Sequence, residues 1–119
     1  MNRPLFLDTA YILAVLNTHD EFHLKARKLS SEIDVQLITT EAVLTEIGNA
    51  LAKPEWRGLA VDTLNDLRED EGVNIISVNS ELFSRAFKLY LSRMDKDWGL
   101  TDCISFVVMK DVKMKEALT

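Results

Sequence analysis

Short apolar runs that recur between stretches of helical periodicity constrain this chain more than any other feature. Pro4-Leu5-Phe6-Leu7 is a continuous apolar run of the kind that lies in a sheet covered on both faces. Val35-Gln36-Leu37-Ile38-Thr39 and Asn74-Ile75-Ile76-Ser77-Val78 are the second and third strand candidates, and Met114 to Thr119 either begins a fourth or forms a tail. Between the first two strands, Ala10, Ile12, Leu13 and Leu16 mark one helix, and Phe22, Ala26 and Leu29 mark a second over Glu21–Ser31. Thr40 can cap a helix from Glu41 to Lys53, closed by Pro54. A further helix over Glu55–Asp70 turns Leu59, Leu64 and Leu67 inward. After the third strand, Ser80 can cap Glu81–Arg93, whose stripe is Leu82, Phe83, Ala86, Leu89 and Tyr90, and Thr101 can cap Asp102–Lys110.

Strands separated by helices pair in parallel through right-handed crossovers. The expected fold class is therefore α/β, a three-layer α/β/α sandwich about a short parallel sheet. At 119 residues there is room for one core, so residues 1–119 are read as a single domain. The single Cys103 excludes an internal disulfide, and no apolar stretch approaches the roughly 20 residues of a membrane span. Asp8 interrupts what would otherwise pass for the apolar region of a signal peptide, so a cytoplasmic location is expected. Fourteen basic against nineteen acidic side chains leave a net charge of −5. A polyanion would thus be met only through a local basic patch or a bound metal ion.

Three acids stand where a solvated face would not put them. Asp8 ends the first strand, at the sheet edge where ligands of open parallel sheets bind. Glu46 lies on or beside the apolar stripe of its helix, three residues after Val43 and four before Ala50. Asp102 opens a helix, Cys103 to Met109, that is apolar nearly all round. Singly, each has a plain structural reading: Asp102 complements a helix dipole, Glu46 sits on a half-exposed flank, and Asp8 accepts hydrogen bonds at the next helix start. Jointly, carboxylates without Lys or Arg on the same stripes repel one another, and a divalent cation relieves that repulsion. Hard oxygen donors without His or Cys favour Mg²⁺ or Mn²⁺ over Zn²⁺.

Leu7-Asp8-Thr9-Ala10, Thr39-Thr40-Glu41-Ala42-Val43-Leu44-Thr45-Glu46-Ile47 and Leu100-Thr101-Asp102-Cys103-Ile104-Ser105-Phe106 resemble the PIN domain, most closely its stand-alone VapC-type toxins. The order and spacing of the three segments carry the resemblance. It implies a metal-dependent endoribonuclease in which Asp8, Glu46 and Asp102 hold Mg²⁺ or Mn²⁺ and act on an RNA phosphodiester. It also implies a homodimer, a small antitoxin protein as partner, and no membrane. Thr9 matches a hydroxyl position beside the first acid, and Asp97 lies in a segment, Asp95-Lys96-Asp97-Trp98, that is family-like; it is either a loop residue or an outer contact that reaches the metal through another ligand. Family members commonly continue to a further acid beyond a segment like Glu116-Ala117-Leu118-Thr119. A domain cut short at its C-terminus, or a catalytically degenerate PIN domain acting as a protein- or RNA-binding module, is the alternative expectation.

His19 and His23 share a helical spacing but lack a third ligand, and are read as a solvated helix start. Cys103, inside an apolar run, is read as a structural thiol. Trp56 between Lys53 and Arg57 is assigned to packing, at the sheet's flank or a partner interface, ahead of RNA stacking. Arg85, Lys88, Arg93 and Lys96 form the best candidate basic patch; Lys110, Lys113 and Lys115 form a second. Exposed apolar residues near 22–29 and 55–67 are the expected contact faces. The glycines form no phosphate loop, Ala10 departs from the paired aspartates of haloacid-dehalogenase phosphatases, and Asn79 stands where a receiver domain would carry its aspartate.

Overall fold

The computed structural model describes residues 4–16, 36–112 and 117–118. The helix expected over Glu21–Ser31, the pair His19 and His23, and Lys113 and Lys115 lie outside the described residues. Among the described residues, nine elements follow one another: β1 (Leu5–Leu7), α1 (Thr9–Leu16), β2 (Leu37–Thr40), α2 (Glu41–Ala50), α3 (Pro54–Glu69), β3 (Val73–Ile76), α4 (Ser80–Ser92), α5 (Leu100–Asp111) and β4 (Ala117–Leu118). The strands form one sheet in the order β3-β2-β1-β4, and every pairing is parallel. Leu5 pairs with Leu37, and Leu7 pairs with Leu118, so the end of β4 is level with the end of β1.

Strand order fixes the layers. The steps β1 to β2 and β2 to β3 run in the same direction across the sheet, so right-handed crossovers put α1, α2 and α3 on one face. The return from β3 to β4 runs the other way and puts α4 and α5 on the opposite face. The packing agrees: α1 lies against α2, α2 against α3, and α4 against α5. Phe6, Ile12, Val43, Ile47, Ala86 and Cys103 are fully enclosed between the layers. The chain thus has the expected three-layer α/β fold, and Cys103 is a structural thiol whose ionisation is pushed up by burial and by the charge of Asp102.

Local chemistry sets the element ends. Thr40 caps α2, its Oγ1 accepting from the Val43 amide at 3.2 Å, as the sequence predicts. The helix ends at Ala50, short of the expected Lys53, and Pro54 opens α3 at its first turn. Two caps fall earlier than expected. Asn79, not Ser80, caps α4, its Oδ1 accepting from Leu82 N at 2.8 Å. Gly99, not Thr101, caps α5, and the Thr101 carbonyl already accepts from the Ser105 hydroxyl within the helix. Glu41 reaches across from the start of α2 to accept from the Val78 amide at 2.9 Å, tying that helix start to the loop that leaves β3.

Some stripe residues face outward. Ala10 is exposed while Thr9 and Val15 are buried, which rotates the inner face of α1. On α4, Leu82 and Ala86 are buried as expected, but Phe83 and Tyr90 are 45% and 44% exposed. They form an outer ladder with Phe87, each successive pair of rings near-parallel with centroids 6.4 Å apart. Among the described residues, no helix is long and apolar enough to cross a membrane.

Candidate active site

Asp8 leaves β1 between the enclosed Leu7 and the buried Thr9, so the chain delivers its carboxylate half-buried at the carboxyl end of a strand flanked on both sides. Its Oδ1 accepts from the Thr9 amide at 2.8 Å, which anchors the carboxylate at the first turn of α1. Burial lifts the Asp8 carboxyl above its ordinary value of 3.8, the Thr9 amide pulls it back, and the charges of Asp102 and Glu46 push it up again. Those two charges come from different elements, α5 and α2 respectively. The fold therefore brings the fields of the three sequence-predicted acids together at one strand end.

Glu46 is half-buried beside Ile47 on α2. Asp102 is half-buried in the first turn of α5, where its Oδ2 accepts from the Gly99 amide at 2.9 Å. The plain structural readings of Asp8 and Asp102 are both realised: each gives one carboxylate oxygen to a helix-start amide. Neither acid, nor Glu46, has a Lys or Arg partner among the described residues, where the ion pairs formed are Arg85–Asp111 and Arg93–Asp95. Nor do any three His, Cys, Asp or Glu side chains among the described residues stand close enough to share one ion as placed.

Thr9 adds an unusual donor. Its Oγ1 is buried and has no hydrogen-bond partner among the described residues. A buried hydroxyl left so costs about 1–3 kcal/mol, a cost that a water or ligand atom at that point would remove. The donor chemistry, three carboxylates and a hydroxyl with no nitrogen or sulfur, suits a hard divalent cation. Mutual repulsion at Asp8 is the feature such a cation relieves. Asp97 stands apart: it is exposed on the loop before α5 and borders a separate cleft with Trp98 and Gly99.

One contributor is invisible to pattern reading. Thr39, fully enclosed in β2, donates from Oγ1 to the Leu7 carbonyl at 2.9 Å, directly before Asp8. The only sequence sign of it is a polar residue in an otherwise apolar buried run. Thr39→Val keeps the volume and deletes the bond. It is expected to lower unfolding free energy by about 1–2 kcal/mol, read as a lower urea midpoint at unchanged slope.

The basic patch expected from sequence is divided. Arg85 is clamped to Asp111 by two hydrogen bonds of 2.7 Å, joining α4 to α5. Arg93 pairs with Asp95 at 3.0 and 3.1 Å and lies 5.3 Å from the Trp98 ring, with Lys96 at 5.9 Å. Trp56 is 49% exposed and borders an apolar hollow with Leu13, Leu16, Leu51 and Leu59, between α1, α2 and α3.

Residues 5–119 match the PIN domain family. No curated protein sequence matches the chain. Among solved structures, the chain is similar to VapC20 of Mycobacterium tuberculosis, described as a toxin cleaving the sarcin-ricin loop. That match has 23% identity and a TM-score of 0.78, over 95% of this chain and 86% of the other. It is also similar to VapBC2 of Rickettsia felis, solved bound to a DNA fragment from its own promoter, at 15% identity and a TM-score of 0.61, over 91% and 83% of the two chains.

Proposed function

Because the chain belongs to the PIN domain family, we propose that it is a cytoplasmic, metal-dependent endoribonuclease and the toxin of a toxin–antitoxin pair. The observation that carries this reading is Asp8, held at the end of β1 in the combined field of Asp102 and Glu46 with no basic partner among the described residues. The likeness in fold to the VapC20 toxin supports it. Asp8, Glu46 and Asp102 would hold Mg²⁺ or Mn²⁺, which when bound supplies an acidic water and positive charge against the phosphodiester.

The chain's own groups do the rest. The Thr9 amide orients the Asp8 carboxylate, and the free hydroxyl of Thr9 is available to a water or a phosphate oxygen. The first turn of α5, which carries Asp102, turns the positive end of a twelve-residue helix dipole towards the same region. A homodimer and an antitoxin partner belong to the same proposal, and the exposed aromatic ladder on α4 offers apolar surface for such a contact.

Labelled mixed-sequence RNA should be cut in Mg²⁺ or Mn²⁺ and left intact in EDTA. Folded protein that binds this RNA without ever cutting it would instead support the degenerate binding module. The same metal should stabilise the fold: at a hundredfold excess over its Kd, Mg²⁺ adds about 2.7 kcal/mol, visible as a raised Tm by calorimetry. A Tm indifferent to Mg²⁺ and Mn²⁺ at millimolar concentrations would count against the ligand set.

A further inference from the structure

The end of α4 and the start of α5 enclose a second feature. Tyr90, Arg93, Met94, Lys96, Asp97, Trp98, Gly99 and Cys103 wall an open cleft of about 440 Å³. Small-molecule sites run from roughly 300 to 1,000 Å³, so a nucleotide fits. Trp98 is fixed by an edge-on contact with Phe106, ring centroids 4.9 Å apart, and is itself only half-buried. Both cations lie within cation–π reach of its ring. Asp95 neutralises Arg93 while holding it in place. Lys96 has no carboxylate partner among the described residues, so its charge is free for a ligand. The exposed Asp97 also borders the cleft, so Lys96 acts as a local cation in a cleft of balanced charge, gathered with two partly exposed aromatic rings of the kind on which single-strand bases stack.

Position adds to composition. Gly99 and Cys103 line the cleft, and Asp102 sits between them in the same helical turn. The first turn of α5 thus contributes both a wall of the cleft and, through Asp102, one of the three acids, which a single strand of RNA running along that turn would meet in succession.

We propose that this cleft is a subsite for a single-stranded nucleotide flanking the scissile phosphate, its base stacked against Trp98 or Tyr90 and its phosphate met by Lys96. The inference deepens the ribonuclease reading and rests on it for the word scissile. Binding is therefore measured apart from cleavage, in EDTA, with a fluorescently labelled eight-nucleotide single-stranded RNA. Lys96→Ala should weaken binding about tenfold and reduce the slope of log K against log salt by about 0.7. Lys96→Arg should restore both, and Arg68→Ala, which removes a charge from the far end of α3, should change binding less than twofold. In a Trp56→Phe background the remaining Trp98 should lose emission as RNA is added. Equal losses from Lys96→Ala and Arg68→Ala, silent Trp98 emission, or no RNA binding by the unaltered chain would each overturn the subsite. RNA bound through Lys96 by a protein that never cuts in Mg²⁺ or Mn²⁺ would uphold the cleft and remove the nuclease reading. RNA cut normally with Lys96 irrelevant would do the reverse.

Discussion

Asp8→Asn is expected to abolish RNA cleavage, with a loss of at least about 10²–10³-fold in rate, and at the same time to raise the Tm of the metal-free protein. The two effects have one origin. Asn keeps the Oδ1 that accepts from the Thr9 amide, so the local anchor survives. What disappears is a negative charge held half-buried beside Asp102 and Glu46, a charge the fold disfavours and a metal requires. Because burial and those neighbours hold the Asp8 carboxyl above its ordinary value, the folded state takes up a proton more readily than the unfolded one. The metal-free protein therefore loses stability as pH rises from the ordinary carboxylate range through the raised value, and the loss is complete above it. In Asp8→Asn that component of the pH dependence should vanish. Thermal melts in EDTA between pH 4 and 8, beside cleavage assays in Mg²⁺, check both halves. A variant that is both inactive and less stable would mean that the Asp8 charge supports the metal-free fold, and would overturn the reading of Asp8 as a strained ligand.

Phe6→Ala should be the most damaging change to the fold itself. Phe6 is fully enclosed in the interior strand β1 and is paired with Ile38 on one side and Ala117 on the other. Removing its ring strips contacts from the middle of the sheet and leaves a void that neighbours on two flanking strands cannot both close. Buried Phe→Ala substitutions cost about 3–5 kcal/mol, against a total stability of roughly 5–15 kcal/mol for a domain of this size. The expected reading is a Tm lower by roughly 10–20 °C in calorimetry. Phe6→Leu, which keeps most of the volume, should lose far less. Equal losses for the two would show that the ring does not fill the centre of the core.

What was legible in the sequence was whatever is periodic or covalently adjacent. The run Leu5-Phe6-Leu7 announced a covered strand, and Asp8 directly after it announced a polar group at that strand's end. Thr40 capped its helix because a Thr three residues before an apolar helical position has one obvious use. Where two polar residues competed, as Asn79 with Ser80, side-chain reach decided, and Asn79 takes the Leu82 amide. The outward turn of Phe83 and Tyr90 was not legible either. An aromatic residue at helical spacing looks like core until the width of the helix's covered face is known, and among the described residues α4 packs chiefly against α5. Least visible were contacts made across sequence: Thr39 to Leu7, Glu41 to Val78, Arg85 to Asp111. Each joins residues that only the topology makes neighbours. Asp8 follows the carboxyl end of β1, Asp102 lies in the first turn of α5 and Glu46 lies midway along α2, so their charges meet at Asp8 only through the topology.

The carboxylate of Asp102 that closes onto the Gly99 amide has a consequence for anyone engineering or tracing the history of this chain. A side chain that both starts a helix and belongs to an acid cluster is under two selections at once, and few residues satisfy both. Glu is too long for the turn, Ser too weak a ligand, and Asn too neutral. At position 102, Asn could keep the hydrogen bond at the start of α5 but not the charge, whereas Ala would lose both. A variant meant to keep the fold while removing the acid at the end of β1 should therefore leave residue 102 alone and change Asp8.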